Sequence, residues 1–70
     1  MQFKKTALIC QGRNIYQELA THRYWTVDNL HYGKAAHLEV FDKTGKHIGE
    51  ADLQGNIDDY KRDSKKTISL

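Results

Sequence analysis

The chain has 70 residues, of which 39% are hydrophobic and 29% are charged, and its formal net charge is +2. We expect residues 1–70 to form a single domain, and a marginally stable one, because a chain of this length buries only about 60% of its unfolded surface. The lone cysteine, Cys10, excludes an internal disulfide framework, and no apolar run is long enough to cross a membrane. The apolar part of the first ten residues is also too short for a signal sequence.

An apolar run and a short helix are predicted for the first third of the chain. Thr6–Cys10 is suited to either a strand or the start of a helix. Asn14 then offers an N-cap, with a glutamine three residues later in the capping-box position. Ile15 and Leu19 lie four residues apart, as on one apolar face of a helix. We therefore predict a helix over Asn14–Thr21, which is so short that it must pack against a sheet.

Three strands are predicted for the rest of the chain. Arg23–Asp28 is rich in β-branched and aromatic residues, and His37–Phe41 places its side chains alternately on two faces. Asp42–Gly45 has the composition of a type I turn with glycine in the left-handed position, which closes a hairpin onto Lys46–Leu53. Gly49 in that last strand indicates a bulge or a close approach. The expected fold class is α+β: a small twisted antiparallel β-sheet with one short N-terminal helix.

Alternation along the predicted strands assigns side chains to the two faces of the sheet. His37 and Glu39 share one face, roughly 7 Å apart, which is close enough to bracket one reacting group. By the same alternation, His47 shares a face with Gly49, and we interpret it as structural or exposed. Trp25 is predicted to lie in the core.

Four residues with acid–base chemistry fall within twelve positions of one another, namely Asp28, His31, His37 and Glu39. Such a set could take a proton from a ribose 2′-hydroxyl and give one to the leaving 5′-oxygen. A nearby cation would stabilise the phosphorane, and the basic tail could supply it from Arg62, Lys65 or Lys66. The same four residues could ligate a divalent metal, but their spacing matches no metal motif, so we expect no metal and no cofactor.

The order of several short segments resembles the ribosome-cleaving ribonuclease domain of the nuclease colicins and cloacin. This domain also ends many contact-dependent growth inhibition toxins and other polymorphic bacterial toxins. The matching segments are the Gly12-Arg13-x-Ile15-Tyr16 pattern, Asp28-x-x-His31, Glu39–Asp42, the run GKHIGEAD at Gly45–Asp52 and DSKKTI at Asp63–Ile68. The likeness covers most of the chain from Gly12 onward, and it is the order of the segments that supports it.

The resemblance implies roles for particular residues. Glu39 matches the general base and His31 the general acid, although these two labels could be exchanged. Asp28 matches the aspartate that orients the histidine, and Lys66 stands where the family has an arginine. His31 and Glu39 are eight residues apart, a wider gap than in the family, so His37 remains a rival for the catalytic histidine. Lysine keeps the charge of arginine but loses its bidentate fork.

The resemblance also implies a substrate and a partner. It implies metal-independent cleavage of RNA, in particular ribosomal RNA, to a 2′,3′-cyclic phosphate. The phosphates would be held by Lys61, Arg62 and Lys65, with Tyr32 as a further RNA-binding residue. A monomer that cuts the RNA of its maker needs an inhibitor, so we expect an acidic cognate immunity protein over the basic face. We expect action in the bacterial cytoplasm, after delivery from a neighbouring cell as part of a larger secreted toxin.

Two other classes of function remain open. One is a non-catalytic β-sheet module that binds RNA or protein through the basic tail and the aromatic rings of Tyr24, Tyr32 and Tyr60. The other is a small structural protein without a nucleic-acid ligand. Substitution of Glu39 and His31 distinguishes the binding module from an enzyme, because RNA binding should survive these substitutions and RNA cleavage should not.

Overall fold

The computed structural model describes residues 2–10, 12–28 and 37–70, which form one antiparallel β-sheet. Each strand pairs with its neighbours in the sequence, so the sheet is a six-stranded meander. The strands are β1 (Phe3–Cys10), β2 (Arg13–Glu18), β3 (Tyr24–Asp28), β4 (His37–Phe41), β5 (His47–Ala51) and β6 (Ile57–Asp58). A 3-10 turn at Asp59–Lys61 follows β6. No helix among these residues is long and apolar enough to cross a membrane.

The α+β prediction is wrong, because the predicted helix Asn14–Thr21 is largely strand β2. The backbone of β2 pairs with β1 on one side and β3 on the other, which satisfies its amide groups without helical bonds. Gly12 adopts a φ of +78° between β1 and β2, a conformation that suits a hairpin turn. Ile15 is fully buried, whereas Leu19 is 45% exposed, so the two residues that suggested a helical face do not share a core.

The three strands predicted after residue 22 are confirmed, and two of them are shorter than predicted. The strand predicted at Arg23–Asp28 begins at Tyr24, and the one predicted at Lys46–Leu53 spans His47–Ala51. The turn between β4 and β5 is also confirmed, since Gly45 has a φ of +92°. The Asp42 carboxylate closes this turn by accepting hydrogen bonds from the backbone amides of Thr44 and Lys46. A hydrogen bond from the Thr44 hydroxyl is the main cause that lowers the pKa of Asp42, and the two amide bonds act in the same direction.

The sheet has an apolar cluster on each face. On the face of Glu39, the buried residues Ile15, Phe41 and Ile68 pack together, with Leu8 and Tyr24 beside them. On the opposite face the cluster consists of Trp25, Val40, Ala51, Leu38, Ile48 and Ile57. Trp25 is 3% exposed, which confirms its prediction as core. Burial on both faces leaves this short chain with two small cores instead of one.

A β-bulge in β5 changes which side chains share a face. Val40 pairs with Gly49 and Phe41 pairs with His47, so Ile48 is an extra residue on β5. Ile48 packs on the Trp25 face, where Gly49 also lies opposite Val40. His47 is turned onto the opposite face. The prediction that His47 shares a face with Gly49 is therefore wrong. The predicted bulge or close approach at Gly49 is confirmed, because the bulge lies beside it at Ile48 and the backbone of Asp58 lies against Gly49.

The C-terminal tail crosses the start of β5. Lys46 and Thr67 form an antiparallel bridge, and the Ile68 amide donates to the Gly45 carbonyl at 2.9 Å. The His47 amide donates to the carbonyl of Lys66 at 3.3 Å. Because Ile68 is buried against Ile15 and Phe41, the tail is held in place and Lys66 lies over β4 and β5.

We expect Gly49→Ala to destabilise the fold strongly. A Cβ at this position would lie 2.3 Å from the carbonyl oxygen of Asp58, so β5 and β6 would have to separate. The expected loss in the free energy of unfolding is about 3 kcal/mol, measured by urea denaturation. Gly12→Ala is the control, because it has a positive φ but no atom within 4 Å of the added carbon, and it should cost about 1 kcal/mol. Equal losses for the two variants would contradict the close approach at Gly49.

Candidate active site

Glu39 stands at the centre of a cluster of ionisable side chains. It lies in the middle of β4, between Thr26 of β3 and Glu50 of β5, and is 5% exposed. Its Oε1 accepts a hydrogen bond from Lys66 Nζ at 3.0 Å, and its Oε2 accepts one from His47 Nε2 at 2.5 Å. Both oxygens of this buried carboxylate therefore have a hydrogen-bond donor, as a buried charge requires.

His47 holds the Glu39 carboxylate in a fixed direction. Its side chain is fully buried, and its ring meets that of Phe41 edge to face at a centroid distance of 5.2 Å. His47 Nδ1 accepts the backbone amide hydrogen of Asp63 at 2.9 Å, so the ring carries its proton on Nε2 and donates it to Glu39. The interpretation of His47 as structural or exposed missed this contact. Gly49 is the sequence signal nearest to this contact, because a bulge beside it reverses the face of the residues before it.

His37 lies beside the same carboxylate at the start of β4. Its Nε2 is 3.6 Å from Glu39 Oε1 and 3.7 Å from Glu50 Oε1. The predicted sharing of a face by His37 and Glu39 is confirmed. Its side chain is 22% exposed, so a ligand on the surface of the sheet can reach it. In register, His37 is opposite Asp28, the last residue of β3.

Lys66 is the cation that the fold brings to Glu39. Its hydrogen bond to Glu39 raises the pKa of Lys66, and this effect outweighs the opposing effect of partial burial. The charges of Glu39, Asp63 and Glu50 act in the same direction. With 45% of its side chain exposed, Lys66 remains accessible to an anion above the sheet. It is therefore a protonated group at neutral pH that contacts both the carboxylate and solvent.

The other predicted site residues lie in the tail, at the end of β3, or outside the described residues. The positively charged residues proposed to hold RNA, Lys61, Arg62 and Lys65, are all exposed in the tail. Arg62 lines an open groove together with Lys46, His47 and Thr67. Asp28 is the last residue of β3. His31 and Tyr32 lie outside the described residues.

The arrangement combines a proton acceptor, an adjacent imidazole and a fixed cation on one face of a sheet. These are the groups needed to move protons at a phosphodiester and to stabilise the charge that develops on it. No family model, curated protein or solved structure matches the chain.

We expect the ion pair between Lys66 and Glu39 to make stability depend on alkaline pH. Because the pKa of Lys66 is raised, the ion pair contributes fully to the free energy of unfolding below the ordinary lysine pKa of 10.5. This contribution is lost as the pH rises through the higher pKa of Lys66 in the folded state. Lys66→Met should remove this loss, as measured by urea unfolding between about pH 9 and about pH 12. Lys43→Met, in the exposed β4–β5 turn, is the matched control. A Lys66→Met protein with the same alkaline profile as the wild type would contradict the pairing.

Proposed function

We propose that this chain is an endoribonuclease that cleaves RNA, with ribosomal RNA as its target, by metal-independent general acid–base catalysis. The observation that supports it best is the Glu39 carboxylate, held by His47 and Lys66 and flanked by His37 on an accessible face of the sheet. The order of the motifs, which resembles the ribonuclease domain of the nuclease colicins, is independent support from the sequence. The product of the reaction would be a 2′,3′-cyclic phosphate.

In the proposed reaction Glu39 takes the proton of the ribose 2′-hydroxyl. The 2′-oxygen then forms a bond to phosphorus, and the bond between phosphorus and the 5′-oxygen breaks. A histidine donates a proton to the leaving 5′-oxygen, and His37 and His31 are the two candidates for this role. The Lys66 ammonium stabilises the negative charge on the phosphorane oxygens. It contacts Glu39 Oε1, so the proton acceptor and the cation meet at one point.

His47 is a positioning residue in this scheme. Its side chain has no exposed surface and binds Glu39 through Oε2, which leaves the side of Oε1 toward Lys66 and His37 for the substrate. The backbone amide of Asp63 fixes the tautomer of His47. A carboxylate that is prevented from rotating loses less entropy when the substrate binds, and this is the usual benefit of a preorganised site.

The exposed cations of the tail bind the phosphates of the RNA backbone. Lys61, Arg62 and Lys65 are exposed and lie within five residues of Lys66 in the sequence, so the tail could hold a polyanion near the reacting group. The same basic surface is where we propose that an acidic immunity protein binds and blocks the site. Such an inhibitor suits a toxin that acts in the bacterial cytoplasm.

The decisive experiment is incubation of the purified chain with ribosomes and with free total RNA in excess chelator. We expect discrete cleavage by the wild type and a loss of at least about 100-fold in rate for Glu39→Gln, since a general base contributes that much. His37→Ala and His31→Ala, tested separately, identify the histidine that donates the proton. Asp59→Asn, a carboxylate on the 3-10 turn, is the control for loss of negative charge.

The result that would overturn the proposal is binding of RNA without cleavage by the wild type. That outcome would favour the non-catalytic module, particularly if Glu39→Gln bound RNA as tightly as the wild type. Cleavage that requires a divalent ion and stops in chelator would instead overturn the metal-independent mechanism. Circular dichroism on each variant separates a lost catalytic group from a lost fold.

We expect the tail cations to determine the salt dependence of RNA binding. Single substitutions of Lys61, Arg62 or Lys65 by alanine should each make the slope of log affinity against log salt less steep by about 0.7, the value for one phosphate contact on a single strand. Binding would be followed by fluorescence anisotropy of a labelled RNA, with Glu39→Gln as the background so that it is not cut. Lys4→Ala, on strand β1 at the other edge of the sheet, should leave the slope unchanged. An equal effect of Lys4→Ala would show that only net charge matters.

A further inference from the structure

Glu39 and Glu50 are opposite each other across strands β4 and β5. The two residues are a register pair on the same face, where carboxylates of like charge repel each other. Lys66 and His47 both donate hydrogen bonds to Glu39. His37 Nε2 lies close to both carboxylates, 3.6 Å from Glu39 Oε1 and 3.7 Å from Glu50 Oε1. One nitrogen and two carboxylate oxygens therefore converge, and all three atoms lie within 4.8 Å of one another.

The spacing of these atoms suits a divalent transition metal. Zinc binds histidine nitrogen and carboxylate oxygen at about 2.0–2.2 Å in tetrahedral geometry, which places two ligand atoms roughly 3.4 Å apart. The distances from His37 Nε2 to the two carboxylates exceed this value by only a few tenths of an ångström. Side-chain rotation alone could close that difference, because Glu50 and His37 are 27% and 22% exposed.

The chemistry of the ligands favours zinc over magnesium. Imidazole is a good ligand for zinc, whereas magnesium prefers an octahedral shell of oxygens and keeps several waters. Three protein ligands leave a fourth tetrahedral position toward solvent. The second oxygen of Glu39 is held by His47, the kind of supporting hydrogen bond that orients a ligating carboxylate.

We propose that His37, Glu39 and Glu50 bind one zinc ion, and that this ion inhibits the chain. The ion would bind the Glu39 oxygen that now accepts from Lys66, and it would compete with the ammonium group for this position. A metal-bound Glu39 could not take a proton from a 2′-hydroxyl, and a metal-bound His37 could not donate one. The inhibitory part of the inference rests on the proposed function, whereas the binding site does not.

The binding site is tested by titrating zinc chloride into the metal-free chain and measuring heat and thermal unfolding. We expect one zinc ion per chain, a rise in the melting temperature, and no response to magnesium at the same concentration. His37→Ala and Glu50→Gln should each weaken zinc binding by more than about tenfold, because loss of a mere supporting partner of a ligand already costs about that much. The control is His22→Asn, because His22 is exposed in the β2–β3 turn and has a φ of +62°, which asparagine tolerates.

Several outcomes would overturn the binding site. These are the absence of zinc binding, binding that survives both His37→Ala and Glu50→Gln, or binding that is lost equally in His22→Asn or His31→Ala. Glu50→Gln keeps the size of the side chain and removes only its charge. If His37→Ala fails to fold, Glu50→Gln and the wild type still decide the question.

The inhibitory role is tested in the RNA cleavage assay with the wild-type chain. We expect zinc to suppress cleavage at concentrations that saturate the binding isotherm, and chelator to restore it fully. Unchanged or faster cleavage with bound zinc would overturn inhibition and leave the binding site standing. Zinc binding by a chain that never cleaves RNA would count against the proposed ribonuclease and not against the metal site, so the two failures are distinguishable.

Discussion

The structure depends on a carboxylate that the sheet has removed from water. Glu39 is nearly inaccessible to solvent, and a buried charge is costly unless neighbouring groups hydrogen-bond to it. Lys66 and His47 each donate to one of its oxygens, Lys66 from the tail, 27 residues away, and His47 from the neighbouring strand, 8 residues away. The burial of Glu39 therefore relies on both the docked tail and the start of β5. This requirement couples the formation of the sheet to the assembly of the candidate active site.

Two local irregularities make this assembly possible. The bulge at Ile48 and Gly49 turns His47 onto the face of Glu39, which a regular strand would not do. The tail then crosses β5, where Ile68 is buried against Phe41 and Ile15. The apolar anchor and the charged group are only two residues apart in the tail, so packing of Ile68 positions Lys66. Stability and chemistry are therefore supplied by the same short segment.

The errors made from the sequence have identifiable causes. The helix predicted at Asn14–Thr21 relied on a capping pattern and one apolar pair, which are weak signals in a segment of two turns. Pairing of β2 with β1 and β3 in the sheet overrides the local preference. His47 was assigned to the wrong face because strict alternation assumes a regular strand. Gly49 marked the irregularity, but its effect on the neighbouring faces could not be worked out without the partner strand.

The sequence by itself determined β3, β4 and β5, the Asp42–Gly45 turn, the core position of Trp25 and the shared face of His37 and Glu39. These features follow from turn chemistry and from the two-residue period of a strand, which act over a few neighbouring residues. Only the tertiary structure decided that β2 is a strand, that His47 contacts Glu39 and that Lys66 pairs with a carboxylate 27 residues away. The physical reason is that strand register and tail docking depend on contacts between different segments of the chain. A pattern within a few neighbouring residues does not predict the free energies of these contacts.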